Sequence, residues 1–128
     1  MYSPQVINLF ANAENVGIIQ SASGVGVYTN EKTNEVFKLY LKIENGYIVD
    51  ASFKAYTGVV GVAVMSIFTE MIKNISIVDA EKIESQQILN SLEDVEKKYN
   101  YLASNAIETL QLALQDYKKK LEKANAKR

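Results

Sequence analysis

The most regular signal along the chain is a period of two. In Val36-Phe37-Lys38-Leu39-Tyr40-Leu41-Lys42-Ile43, the apolar Phe37, Leu39, Leu41 and Ile43 alternate with positions that include Lys38 and Lys42. This is the signature of a strand with one dry and one wet face. Asn45-Gly46 follows, and a second alternating run extends from Tyr47 to Tyr56. Asn-Gly readily takes the positive φ angles of a tight type I′ turn, so the two runs are predicted to pair as an antiparallel hairpin.

On either side of the hairpin the period changes. Ser3 to Ala11 can form a short helix, with Ser3 as N-cap, Pro4 at the first helical position and Val6, Ile7 and Phe10 as its apolar side. Asn15, Gly17, Ser21, Ser23, Gly24 and Gly26 surround short apolar pairs, a pattern of loops and a short edge strand. Val59 to Lys73 is apolar nearly all round, carries Gly61 and Ala63 for close approach, and predicts a buried helix. Shorter helical segments are predicted from Ile77 to Ile83 and from Ser85 to Leu92. In the last helix Leu102, Ala106, Leu110, Ala113, Tyr117 and Leu121 recur at three- and four-residue steps. Helix, strands, then several helices is the order of an α+β domain: a small antiparallel sheet with helices on one face and a long C-terminal helix.

A chain of 128 residues, 48% hydrophobic and 23% charged, has the size and composition of one globular domain, so residues 1–128 are expected to share a single core. The net charge of -1 hides an asymmetry. Lys118, Lys119, Lys120, Lys123, Lys127 and Arg128 against Glu122 make residues 118–128 a basic, frayed tail. The remainder holds 8 basic and 14 acidic residues, a body of -6. An acidic body argues against nucleic acid as a partner, because phosphate binding needs a basic face. The tail is expected to be the solvated end of a helix, its cations complementing the C-terminal dipole. The longest nearly unbroken apolar run, Val59 to Phe68, is too short to span a bilayer, and the N-terminal residues carry no basic leader, so no membrane role is expected and the chain reads as cytoplasmic.

Candidate chemistry is defined by what is missing. With no cysteine and no histidine, thiol nucleophiles, disulfides, thiolate and imidazole metal sites and the usual general base are excluded together. Gly24-Val25-Gly26 and Gly58-Val59-Val60-Gly61 lack the spacing of phosphate loops, and Ser21 and Ser23 have no histidine to activate them. Glu81, Glu84, Glu93, Asp94 and Glu96 read as a solvated face. No enzyme activity is expected.

Four colinear stretches nevertheless resemble the NifU/IscU family of iron–sulfur cluster assembly scaffolds. They are Tyr2-Ser3-Pro4 with Phe10-Ala11-Asn12 and Asn15-Val16-Gly17; Gly24-Val25-Gly26; Lys38 to Ile43 through Gly46 to Ala51 and Phe53-Lys54; and Ala106 to Tyr117 before a lysine-rich end. The resemblance covers nearly the whole chain and implies an IscU-like α+β fold. It also implies a site. Family members hold a [2Fe–2S] cluster or zinc on three cysteines with an aspartate and, in IscU, a histidine, soft thiolates being suited to iron and bridging sulfide.

At the matching positions this chain departs from the family throughout. The family's Cys-Gly-Asp loop is Thr33-Asn34-Glu35, its second cysteine is Gly58, and its His-Cys pair is Tyr101-Leu102. The Leu-Pro-Pro-Val-Lys segment that IscU-type members present to a chaperone is Val95-Glu96-Lys97-Lys98-Tyr99, without proline. The resemblance therefore implies a degenerate copy with no cofactor, acting through contacts with a cysteine desulfurase or a true scaffold paralogue. Two other uses stay open. Glu35, Tyr101 and Thr33 could offer oxygen donors to a hard metal, although one carboxylate offsets little of a cation's dehydration. The Val59 to Phe68 helix could line a small-ligand pocket or a homodimer surface, although core packing is its expected fate.

Overall fold

The computed structural model describes residues 2–126. Helix α1 (Pro4–Ala11) leads into strands β1 (Gly24–Asn30), β2 (Glu35–Glu44) and β3 (Tyr47–Tyr56). Helices α2 (Val59–Ile72), α3 (Ile77–Ala80) and α4 (Ser85–Asn90) follow, then a single 3-10 turn at Lys97–Tyr99 and the long α5 (Tyr101–Ala126). The three strands form one antiparallel meander in the order β1-β2-β3. This is the α+β arrangement the pattern predicts.

The hairpin forms as expected. Asn45 and Gly46 have φ of 51° and 79°, so both central turn positions lie in the left-handed region that a type I′ turn requires. Alternation then decides the faces. Phe37, Leu39 and Leu41 of β2 and Ile48, Ala51 and Phe53 of β3 are buried, whereas Lys38 and Lys54 are exposed. Against the dry face pack Val64, Met65, Phe68 and Ile72 of α2 and Leu102, Ala106, Leu110 and Ala113 of α5. Burial overrides the low helix propensity of the valines in α2, and that helix serves the core as expected.

Strand β1 is longer than the short edge strand expected from its turn formers. Its inward positions include Gly24 and Gly26, so the hydrophobic alternation that would reveal it is absent from the sequence. The reason is the close approach of α5. A β-carbon at Gly26 would lie 2.5 Å from the Ala113 nitrogen and 3.0 Å from its α-carbon, and one at Gly24 would lie 3.0 Å from the Tyr117 β-carbon. These two glycines let the C-terminal helix lie directly on the strand. Asp116 of α5 adds a clamp, accepting a 2.8 Å hydrogen bond from the Val25 N–H.

At the N-terminus, Ser3 caps α1 by accepting from the Val6 N–H at 3.1 Å, and Pro4 occupies the first turn. The loop after α1 runs along β3, with Gly17 N–H donating to the Phe53 carbonyl and Phe53 N–H to the Asn15 carbonyl. At the other end the basic segment expected to fray is helical as far as Ala126, with Lys120 bridging to Asp116 at 2.9 Å and Lys118 to Glu81 at 3.1 Å. Lys127 and Arg128 lie outside the described residues.

Candidate functional site

Four chain segments meet at one end of the sheet. The β1–β2 loop supplies Thr33, the start of β2 supplies Glu35, the link from β3 to α2 supplies Thr57 and Gly58, and the first residue of α5 is Tyr101. Asn34, between Thr33 and Glu35, has φ of 63°. The family motif has glycine there, and asparagine is among the few other residues that tolerate the left-handed region. The backbone takes that bend at Asn34, next to Thr33 where the family motif has cysteine.

Glu35 is the centre of the cluster. Its Oε1 accepts from the Tyr101 hydroxyl at 2.5 Å, its Oε2 accepts from the Thr57 hydroxyl, and its own N–H donates to Thr33 Oγ1 at 3.3 Å. Burial pushes the Glu35 carboxyl up, but hydrogen bonds from Thr57, Tyr101 and Thr33 outweigh it and hold the group below the usual glutamate value. Burial, the hydrogen bond to Glu35 and its negative charge push the Tyr101 phenol up to about 12. At neutral pH the cluster is thus one carboxylate held by neutral hydroxyl donors.

A carboxyl whose folded pKa is depressed stabilises the fold above its unfolded pKa and ceases to do so as pH falls through the folded value. Glu35 therefore contributes fully at neutral pH, and its contribution disappears in the acid range below the ordinary glutamate value. Urea titrations of the parent and of Glu35→Gln between roughly pH 3 and 7 are expected to converge at the acid end and separate toward neutrality, the parent being more stable there. Equal spacing at every pH would mean that the carboxylate charge is not what the hydroxyls hold.

Sequence comparison brings Thr33, Glu35, Gly58 and Tyr101 together, and the folded chain places them together. Leu102 goes elsewhere: it is 2% exposed and belongs to the core. Thr57 is the residue that motif matching passed over. Its side chain fits because a β-carbon at Gly61 would collide with it, so the glycine opens the space that Thr57 fills. Gly58, the N-cap of α2, faces open space, with nothing within 4 Å of where a β-carbon would stand.

The residues do not fit an iron–sulfur cluster. Hydroxyl and carboxylate oxygens replace the soft donors that bridging sulfide chemistry requires. A hard cation fares little better, since the single carboxylate already has both oxygens engaged. Among the described residues no three His, Cys, Asp or Glu side chains are grouped to hold a metal.

The segment before α5 is also rebuilt. Tyr99 lies beside Tyr2, their ring centroids 6.4 Å apart, while Gln5 of α1 donates to the Ser91 carbonyl at 2.8 Å and accepts from the Glu93 N–H at 2.7 Å. Tyr99 of the segment that replaces the proline-containing one thus packs beside the residue ahead of α1, and the chain just before that segment is bonded to Gln5 of α1.

The match to the family described as NifU-like N terminal domain runs over residues 1–124. This chain belongs to that family. Iron-sulfur cluster assembly scaffold protein IscU 1 of Archaeoglobus fulgidus is 32% identical over 120 residues, spanning 94% of this chain and 78% of that protein. The scaffold protein IscU of Buchnera aphidicola subsp. Schizaphis graminum is 36% identical, over 95% of this chain and 98% of its own length. In three dimensions, a nitrogen-fixing NifU-like protein (N-terminal) from Brucella abortus superposes with a TM-score of 0.73 at 12% identity, covering 92% of this chain and 94% of that one. A putative iron-sulfur cluster assembly scaffold protein for the SUF system from Fervidobacterium islandicum gives 0.70 at 20% identity, covering 88% and 96%. These two structural likenesses establish the NifU-like fold. Among the described residues of this NifU-like domain, no helix is long and apolar enough to cross a membrane.

Proposed function

We propose that this NifU-like chain works in iron–sulfur cluster assembly as a pseudo-scaffold, engaging a cysteine desulfurase or a cysteine-bearing scaffold without carrying a cluster or catalysing a reaction. One observation carries the reading. The fold brings the family's ligand positions Thr33, Glu35, Gly58 and Tyr101 to one place and fills them with hydroxyls around a carboxylate, beside a bare glycine. The family fold persists, and the atoms that would hold cargo do not.

The related proteins named as assembly scaffolds support the pathway, since their similarity spans nearly the whole chain. Isothermal calorimetry with the cysteine desulfurase of the same organism tests the proposal. Binding at micromolar concentration, unchanged by a chelator, is expected. No detectable heat or co-elution with either the desulfurase or a three-cysteine scaffold at that concentration would remove the chain from the pathway.

A further inference from the structure

The outer face of the sheet carries a contradiction that the free protein does not resolve. Lys38 of β2 and Lys54 of β3 are register partners, so two cations stand directly opposite each other on the wet side. Like charges in this position oppose sheet formation. The remaining positions around them offer no relief. Lys38 also faces Val27 across β1, while Tyr40 faces Val25 and Ser52, and Tyr56 faces Val36. None is an acid, and among the described residues neither lysine forms an ion pair within 4.0 Å. Lys38 has only the Tyr40 ring, 5.8 Å from its ammonium to the centroid.

Immediately around the two lysines the same surface is largely apolar. Val16, held on β3 by the Asn15–Gly17 loop, is 58% exposed, Val27 is 47% exposed and Tyr56 is 82% exposed. With Val36 and the two lysines they line an open depression of about 500 Å³. Aromatic and aliphatic side chains around paired cations form an interaction surface for a ligand with apolar side chains and a central carboxylate. The body of the chain outside its tail is acidic, at -6, so this face has the opposite sign to most of the molecule.

We infer that the outer face of the sheet docks an acidic, aromatic- or leucine-bearing segment of a partner protein, whose carboxylates seat between Lys38 and Lys54. The inference rests on the reading that this chain acts through protein contacts, and it adds the surface and the chemistry of what binds there.

A backbone-amide NMR titration tests it, using the acidic peptide acetyl-Glu-Leu-Glu-Tyr-Glu-Leu-Glu-amide and its all-glutamine counterpart as probes. The acidic peptide is expected to shift amides of Val27, Lys38, Lys54 and Tyr56, and to bind at least about tenfold more weakly to Lys54→Glu or in roughly 1 M salt. Lys54→Glu also reports on folding. It turns a repelling pair into an attracting one, so the thermal midpoint of the free chain should rise by roughly 2 °C while binding falls. A face kept for folding alone would show no peptide shifts in either protein.

Equal shifts with the glutamine peptide, or shifts on this face produced only by single-stranded oligonucleotide or phosphatidylserine vesicles, would overturn the assignment. So would salt-sensitive self-association through the same amides, which would make a second copy the occupant. Failure to bind both the desulfurase and a three-cysteine scaffold would remove the pathway without altering this titration, whereas an unshifted sheet face would remove the surface and leave the pathway standing.

Discussion

Gly26→Val is expected to destabilise the protein by about 3 kcal/mol or more, because the new side chain must enter space held by the backbone of α5. The nearest atoms are the Thr109 carbonyl oxygen and the Ala113 nitrogen and α-carbon, none of which can rotate away as a side-chain tip could. The helix must lift from β1 or the strand must leave the sheet, and either movement exposes Leu110 and Leu114. Urea unfolding followed by circular dichroism measures the loss. Gly58→Ala is the matched control: its β-carbon meets nothing and its φ of -84° suits any residue, so the change should stay within about 1 kcal/mol. Comparable losses in both variants would mean that α5 does not pack on the strand as closely as described.

Restoring soft donors should create the largest functional change. Thr33→Cys, Gly58→Cys and Tyr101→His together place two thiolates and an imidazole around Glu35, a four-ligand set suited to tetrahedral zinc. The backbone is ready for it, since Asn34 keeps the left-handed bend and Gly58 has open space in front of it. The triple variant is expected to bind zinc at least about a hundredfold more tightly than the parent in competition with a chromophoric chelator. Binding no tighter than the parent's would show that these positions do not converge as the hydrogen bonds to Glu35 imply.

The β2–β3 hairpin was legible because alternation and Asn45-Gly46 point to the same structure. Strand β1 was only partly legible, since its inward positions Gly24 and Gly26 carry no side chains and their purpose depends on a helix that begins at Tyr101. The last two turns of α5 read as the solvated basic end of a helix, but charge pattern alone does not reveal a partner such as Glu81, far away in sequence. At the site, the meeting of Thr33, Glu35, Gly58 and Tyr101 came from resemblance and not from spacing. Thr57 carried no signal: its role depends on Glu35, 22 residues earlier, and on the gap that Gly61 leaves. Leu102 aligned with a ligand, yet its apolar side chain belongs to the core.

The central claim is that the frame survives while the capacity to hold a cluster does not. Anaerobic incubation of the untagged parent chain with ferric iron and sulfide, then desalting and analysis of iron and acid-labile sulfide, tests it most directly. Neither element should remain in stoichiometric amount, and the visible spectrum should be blank. Retained iron and sulfide in equal, stoichiometric amounts, with charge-transfer bands in the visible, would contradict the account.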